Sequence, residues 1–316
     1  MQKLLARDLE RFDELLEACL KSDPALMGDI GLDLIKAGGK RIRPRLALLS
    51  AHLLGTDTHN GQTVALAVEM LHTASLLHDD LIDDAETRRG KVAAYKQFGN
   101  TMSVMAGDFL LAKVLRLLAG SANHDFTMLM SDAAAAIVAA EVRQFELSQA
   151  DGTPDFESYL QVIDGKTAVL ISAALEGVAI LAGSPAHERQ ALRTFGLAYG
   201  RAFQLQDDYL DLLGDEQQLG KPVGSDLSEG KVTWPVLVLL EQGNSEAAAI
   251  VARRADQPGD AQRMAQLVRE SGAAAATSAR IRAESDRAVA ALAGFPDSEA
   301  KTALVELVST ETERLA

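Results

Sequence analysis

The chain has 316 residues, 47% of them hydrophobic and only 4% aromatic, with a formal net charge of −14. That length can bury a sizeable core, Ala and Leu favour helices over sheets, and the acidity argues against a general nucleic-acid binder, whose footprint is basic. Cys19 is the only cysteine, which excludes a disulfide framework and a thiolate metal site. No window approaches 18 uninterrupted apolar residues, so no transmembrane segment is expected. The opening stretch Met1 to Asp8 turns acidic at once and has no signal-peptide core, so a cytoplasmic protein is the default expectation.

Periodicity and breakers predict helices over 2–21, 28–37, 44–55, 60–84, 101–120, 124–150, 155–181, 186–214, 235–242, 245–255, 259–271, 273–294 and 297–315. Pro24, Pro44, Pro154, Pro185, Pro235, Pro258 and Pro296 stand near helix starts, where a missing N–H costs little. Pro222 lies in a loop. No alternating strand pattern is evident. The breaks fall at Gly38-Gly39, at Arg89-Gly90 and from Gly214 to Gly230. Nothing resembles an interdomain linker, so one all-α domain over 1–316 is expected, a bundle of ten or more helices around a central cavity. Val64 to Leu77 and Thr127 to Val142 are apolar nearly all round, which predicts interior helices.

Chemistry-bearing residues punctuate this string. Gly38-Gly39-Lys40-Arg41-Ile42-Arg43-Pro44 sets three cations at a helix start in an acidic chain, a place that favours anions; the bland alternative is a capped turn with solvated charges. His72 precedes Asp79 by about two turns and shares its face, although a lone His on an apolar helix is more often a satisfied core residue. His78-Asp79-Asp80-Leu81-Ile82-Asp83 closes the helix, and Arg88-Arg89-Gly90 follows. A second Asp-Asp-x-x-Asp, at Asp207, Asp208 and Asp211, closes another apolar run. Residues four apart on a helix share a face, so Asp79 pairs with Asp83 and Asp207 with Asp211. One such run is easily a solvated helix end; two argue for carboxylates gathered to hold a hard cation such as Mg²⁺, which also takes oxygens from a substrate phosphate. Lys166-Thr167 lies inside an otherwise apolar helix, where an unpaired lysine is costly. Lys221 and Lys231 flank the polar loop after the second cluster, and read blandly they are solvated loop lysines.

Together these residues resemble the trans-polyprenyl diphosphate synthases of the all-α isoprenoid synthase family. The match comprises Gly-Gly-Lys-Arg-Ile-Arg-Pro at 38–44, Leu-His-x-Ala-Ser-Leu-Leu-His-Asp-Asp-x-x-Asp at 71–83, Arg-Arg-Gly at 88–90 and Gly-Asp-Phe-Leu at 107–110. It continues with Gly-Lys-Thr-Ala at 165–168, Phe-Gln-Leu-x-Asp-Asp-x-Leu-Asp at 203–211, Gly-Lys-Pro-x-Gly-x-Asp-Leu at 220–227 and Glu-Gly-Lys at 229–231. The resemblance implies an isoprenoid synthase fold, a homodimer and head-to-tail condensation of isopentenyl diphosphate with an allylic diphosphate. It implies Mg²⁺ on Asp79, Asp83 and Asp207, with Asp80, Asp208 and Asp211 as further ligands or supports. Arg88, Lys166, Lys221 and Lys231 would grip the allylic diphosphate. Lys40, Arg43, His72 and Arg89 would hold isopentenyl diphosphate, and Thr167 and Gln204 would stabilise the allylic cation with their oxygens. Trp234 stands where relatives more often carry an aliphatic residue, and Arg314 is the only basic group of the C-terminal Glu311 to Ala316.

Product length follows from size. The residues four and five before the first aspartate are Ser75 and Ala74, about 7.5 Å along the helix for the latter. Neither can plug a tunnel, so a long product such as a quinone side-chain precursor is expected, with Leu118 or Met130 as a deeper floor, and Ala74 is expected to face tunnel rather than packed core. The alternatives are a farnesyl or geranylgeranyl synthase, a terpene cyclase or head-to-head condensing enzyme, and a non-catalytic subunit of a heteromeric synthase. The glycine–lysine–arginine turn argues against the cyclase, and two intact aspartate clusters argue against the inactive subunit.

Overall fold

The computed structural model describes residues 2–21, 25–149, 154–214 and 223–313, and these are almost entirely helical. Pro24, Lys221, Pro222 and Arg314 lie outside the described residues. Two compact units divide the chain: Met1–Ala134 with Ala173–Arg193 and Gly294–Leu304, and Ala135–Ser172 with Thr194–Ala293 and Val305–Ala316.

The first unit holds α1 (Gln2–Leu20), α2 (Leu26–Lys36), α3 (Ile42–Leu54), α4 (Thr58–Ile82), α5 (Ala94–Phe98), α6 (Asn100–Ser121) and the start of α7 (His124–Gln149). Helix α4 packs against α3 and α6, and it is buried without interruption from Gly61 to Leu71, as its all-round apolar sequence predicts. Gly61 permits the approach of α3, because a Cβ there would stand 3.0 Å from the Ala51 methyl. Asp57 caps α4 by accepting from the His59 N–H, the role in which a short carboxylate competes best with water. Phe12, Leu46, Leu49, Val68, Leu110 and Phe126 fill the core. Two short elements of this unit escaped the sequence reading. Helix α5 has five residues, too few for periodicity to register. A hairpin pairs β1 (Thr87–Arg88) with β2 (Lys91–Val92); its two-residue turn is Arg89-Gly90, both with positive φ, 52° and 74°, the requirement of the turn that matches strand twist.

The second unit contains the rest of α7, α8 (Phe156–Ile163), a π-helical turn (Asp164–Ala168), only the first turn of α9 (Val169–Leu181), most of α10 (Ala186–Leu213), and the peripheral helices α11 (Ser225–Ser228), α12 (Trp234–Glu241), α13 (Ser245–Ala252), α14 (Asp260–Glu270) and α15 (Ala273–Ala291). Helix α16 (Glu299–Glu313) closes the chain. Leu212, Val236, Leu239, Ile250, Met264 and Val268 form one core, and Tyr159, Ala202, Leu205, Leu237 and Ile281 another. The expected straight helix over 155–181 is interrupted by the π turn, where one extra residue re-aims the side chains that follow.

Helix α7 departs from expectation. Met130 and Ala133 are buried, but Met128, Val138, Val142 and Phe145 are exposed, the last at 61%. Apolar sequence all round a helix does not require that every face be covered within one chain.

Candidate active site

In the first unit the helical period sorts the carboxylates of the first cluster. Asp79 is half-buried and Asp83 exposed; Asp83 caps α4, its N–H donating to the Asp79 carbonyl at 2.8 Å. Asp80, one residue and about 100° further round the helix, turns inward and is 1% exposed. Its Oδ1 accepts from the Arg88 guanidinium at 2.6 Å (Nε) and 2.5 Å (Nη2). Asp80 thus anchors the hairpin arginine. His78 lies along α6, 3.3 Å from the Val104 carbonyl and 3.6 Å from Asp108. It fits only because residue 107 is glycine: a Cβ there would sit 2.2 Å from its Nε2.

The basic turn and His72 belong to the same unit. Gly38 and Gly39 have φ of 116° and 139°, open to glycine alone without strain. A Cβ on Gly39 would stand 3.2 Å from the Arg89 Cζ. Arg89 donates to the Leu34 carbonyl at 3.0 Å. Arg41, at φ 47°, starts α3 and pairs with Asp13, so it serves the fold, while Lys40 is exposed and Arg43 half-buried. Glu69, 3% exposed, supplies the counter-charge: burial pushes its carboxyl up, and Arg43, Arg89 and Arg41 pull it down. It was missed in the sequence, although a lone Glu inside the apolar run Val64 to Leu71 is the signal. Burial, then Arg43, Arg89 and Arg88, hold the His72 imidazole well below its ordinary pKa. His72 is therefore a neutral hydrogen-bonding group beside the arginines at neutral pH, not a further cation.

The second unit carries the other cluster. Asp207 is exposed, and Asp208 and Asp211 are buried at 5% and 3%. Asp211 accepts from the Ser225 hydroxyl at 2.6 Å and the Asp226 N–H at 3.2 Å. Asp208 accepts from the Tyr159 hydroxyl at 2.5 Å and the Gln204 amide at 2.8 Å; burial, ahead of its neighbours, pushes its carboxyl up to about 6. Thr167 in turn donates to the Gln204 carbonyl at 2.8 Å, so the Thr167 lone pairs stay available to a ligand while the Gln204 oxygen already accepts. Lys166 is paired rather than stranded, at 2.6 Å from Glu141 and 3.0 Å from Gln144, and Lys231 pairs with Glu229. Lys166, Thr167, Gln204, Asp208 and Lys231 line one cavity of about 140 Å³. Lys221 lies outside the described residues, so its place is open.

The π turn that presents Lys166 and Thr167 is held by Arg201, which grips Asp164 with two bonds of 2.6 Å. Gly165 lets α7 approach, since a Cβ would lie 2.7 Å from the Ala140 methyl.

Of the expected length-determining residues, Ala74, Leu118 and Met130 are buried, at 1%, 3% and 1% exposure. Ser75 is half-buried, with its hydroxyl on the His72 carbonyl at 2.9 Å. The helical period explains the difference: Ser75 stands one turn from Asp79 on the same face, and Ala74 is rotated away from it.

No three carboxylate, imidazole or thiol groups converge into a metal cage among the described residues. The donor set, solvent-reaching carboxylate oxygens with no thiolate beside them, fits a hard cation that draws its remaining oxygens from a phosphate substrate.

The family profile described as polyprenyl synthetase matches residues 24–270, and the chain belongs to that family. It is 37% identical to the octaprenyl diphosphate synthase of Haemophilus influenzae over 99% of this chain and 96% of that one. It is also 37% identical to the geranyl-diphosphate-specific all-trans-nonaprenyl-diphosphate synthase of Rhodobacter capsulatus, over 98% and 96%. The polyprenyl synthase of Caulobacter crescentus, solved with calcium and isoprenyl diphosphate, superposes with a TM-score of 0.92 at 37% identity, covering 100% of this chain and 97% of that one. No helix of the described residues is long and apolar enough to cross a membrane.

Proposed function

We propose that this protein is a Mg²⁺-dependent prenyltransferase that condenses isopentenyl diphosphate head-to-tail with an allylic diphosphate, repeatedly, to a long all-trans polyprenyl diphosphate. The observation that carries the reading is the sorting of both aspartate clusters: Asp79, Asp83 and Asp207 reach solvent, while Asp80, Asp208 and Asp211 are locked in hydrogen bonds behind them. Full-length likeness to long-chain synthases supports the length of the product.

In this reading Asp79, Asp83 and Asp207 hold the cations, and Arg88, Lys166, Lys221 and Lys231 bind the allylic diphosphate. Mg²⁺, when bound, neutralises the charge that develops on the departing diphosphate. Lys166 exchanges its Glu141 partner for the ligand phosphate. Thr167 turns lone pairs toward the allylic cation, and Gln204 fixes the Thr167 rotamer as well as contributing its own dipole. Lys40, Arg43 and Arg89 bind isopentenyl diphosphate by charge, and neutral His72 donates one N–H. Attack of the isopentenyl double bond forms the new C–C bond, and the proton lost passes to the released diphosphate.

The protein acts as a homodimer in the cytoplasm. The exposed apolar residues Val138, Val142 and Phe145, spaced along one face of α7, support a second copy as their cover. Sedimentation at micromolar concentration should show dimer; monomer alone would contradict this part.

Incubating the purified protein with isopentenyl and farnesyl diphosphates and Mg²⁺, then separating the products by chromatography, tests the function. A long polyprenyl diphosphate is expected. Accumulation of a geranylgeranyl-length product would convert the reading to a short-chain synthase, and a cyclic hydrocarbon or no diphosphate release would overturn it.

A further inference from the structure

Trp234 is the only tryptophan in the chain, and the structure gives it a role. Its ring lies 4.4 Å from Phe156 and 5.7 Å, edge-on, from Tyr159. The Arg280 guanidinium covers it at 5.3 Å. Tyr159 is 6% exposed, and its hydroxyl meets the Asp208 carboxylate at 2.5 Å. Phe156 and Tyr159 stand three residues apart on α8, so the indole at the head of α12 bears on one face of that helix. Three aromatic rings packed at these distances leave the tyrosine little rotational freedom, and an aromatic contact adds to plain burial.

We propose that Tyr159 is a positioning residue of the second aspartate cluster, aiming Asp208 and through it the neighbouring Asp207, and that Trp234 is the buttress that holds the Tyr159 ring in place. The inference rests on the reading that this cluster binds Mg²⁺ with a diphosphate. The phenol is the donor in this bond: burial first, then the Asp208 charge, holds its proton well above the usual phenol range. Asp208 thereby receives one hydrogen bond on each oxygen, from Tyr159 on one side and Gln204 on the other, and has a single orientation. The cluster's geometry is then preset before any cation arrives, which supports of this kind do for metal ligands generally. Neither Tyr159 nor Trp234 is required to touch substrate.

The position of Trp234 supplies its own readout. Indole fluorescence reports on the ring packed edge-on against Tyr159, so cation and diphosphate binding at the aspartates should be visible in it. The experiment titrates Mg²⁺ in the presence of inorganic diphosphate into the full chain, following Trp234 emission. The same titration is run on Tyr159→Phe, which keeps the ring and removes only the hydroxyl. A saturable emission change is expected in the parent protein, with the Mg²⁺ midpoint rising about tenfold in the variant, the loss of roughly one hydrogen bond to a charged group. Turnover should fall with it, while the KM for isopentenyl diphosphate stays constant. A double-mutant cycle separates positioning from general damage: once Asp208→Asn is made, adding Tyr159→Phe should cost little further. Equal Mg²⁺ midpoints for the parent and Tyr159→Phe, or additive losses in the cycle, would overturn the proposal. A parent protein that binds Mg²⁺ and diphosphate but transfers no prenyl group would sink the functional reading instead, and the two failures are therefore distinguishable.

Discussion

Gly200 and Ala168 bring α10 and the π turn into backbone contact: a Cβ on Gly200 would stand 2.5 Å from the Ala168 Cα and 2.7 Å from its methyl. Each lies beside a residue of the site, Gly200 one turn before Gln204 and Ala168 directly after Thr167. The Thr167–Gln204 hydrogen bond of 2.8 Å depends on that approach. The obstructing atom is backbone, so Gly200→Ala has no side chain to displace and should push the two elements apart. Overpacking of this kind costs about 1–3 kcal/mol. A melting temperature lowered by several degrees together with a larger fractional loss of turnover is expected, and unchanged turnover would show that the contact does not serve the site.

Asp79→Ala and Asp207→Ala should abolish turnover with the fold intact, because each removes a solvent-facing carboxylate. Asp80→Ala should behave differently. It leaves the Arg88 guanidinium without its buried partner and opens a buried gap behind α4, so it should destabilise the fold where Asp79→Ala does not. Urea unfolding beside turnover checks both; a destabilisation by Asp79→Ala equal to that by Asp80→Ala would refute the division of roles.

His72 gives the protein a pH-dependent weakness. Its folded-state pKa lies well below the ordinary 6.5. Below pH 6.5 the unfolded chain therefore binds a proton that the folded chain refuses, and stability falls as pH drops. Above that value His72 contributes no slope. Between pH 7 and pH 5 the urea midpoint should drop more in the parent than in His72→Gln, and parallel curves would contradict the assignment.

Lys40→Ala and Arg43→Ala should raise the KM for isopentenyl diphosphate more than that for the allylic substrate. Loss of one charge-assisted contact costs about 1.5–3 kcal/mol. Equal effects on both substrates would remove the basic turn from the isopentenyl site.

The burial of Ala74 and the half-exposure of Ser75 set a size test. Ala74→Phe meets a full core, so it should destabilise the protein. Ser75→Phe, on the Asp79 face, should shorten the product with little loss of stability. Product chromatography and thermal melting of the two variants decide it; an unchanged product length from Ser75→Phe would remove this residue from the chain's path.

The helical class, most helix boundaries and the family were legible in the sequence because each rests on local order: a 3.6-residue period, prolines at helix starts and short motifs in a fixed succession. Helix geometry also sets Asp79 and Asp83, and Asp207 and Asp211, one turn apart, but it does not tell that Asp207 is exposed and Asp211 buried. What tertiary structure decided is which neighbour answers each charge. Asp80 against Arg88, Glu69 among three arginines, Lys166 against Glu141 and Tyr159 against Asp208 join residues from different elements, and no spacing along one helix announces them. The same holds for Ala74 against Ser75, identical in smallness and adjacent in sequence, where a rotation of about 100° per residue puts one in packed core and leaves the other half-exposed. Local periodicity says which residues share a face; only the packing of other helices says what that face meets.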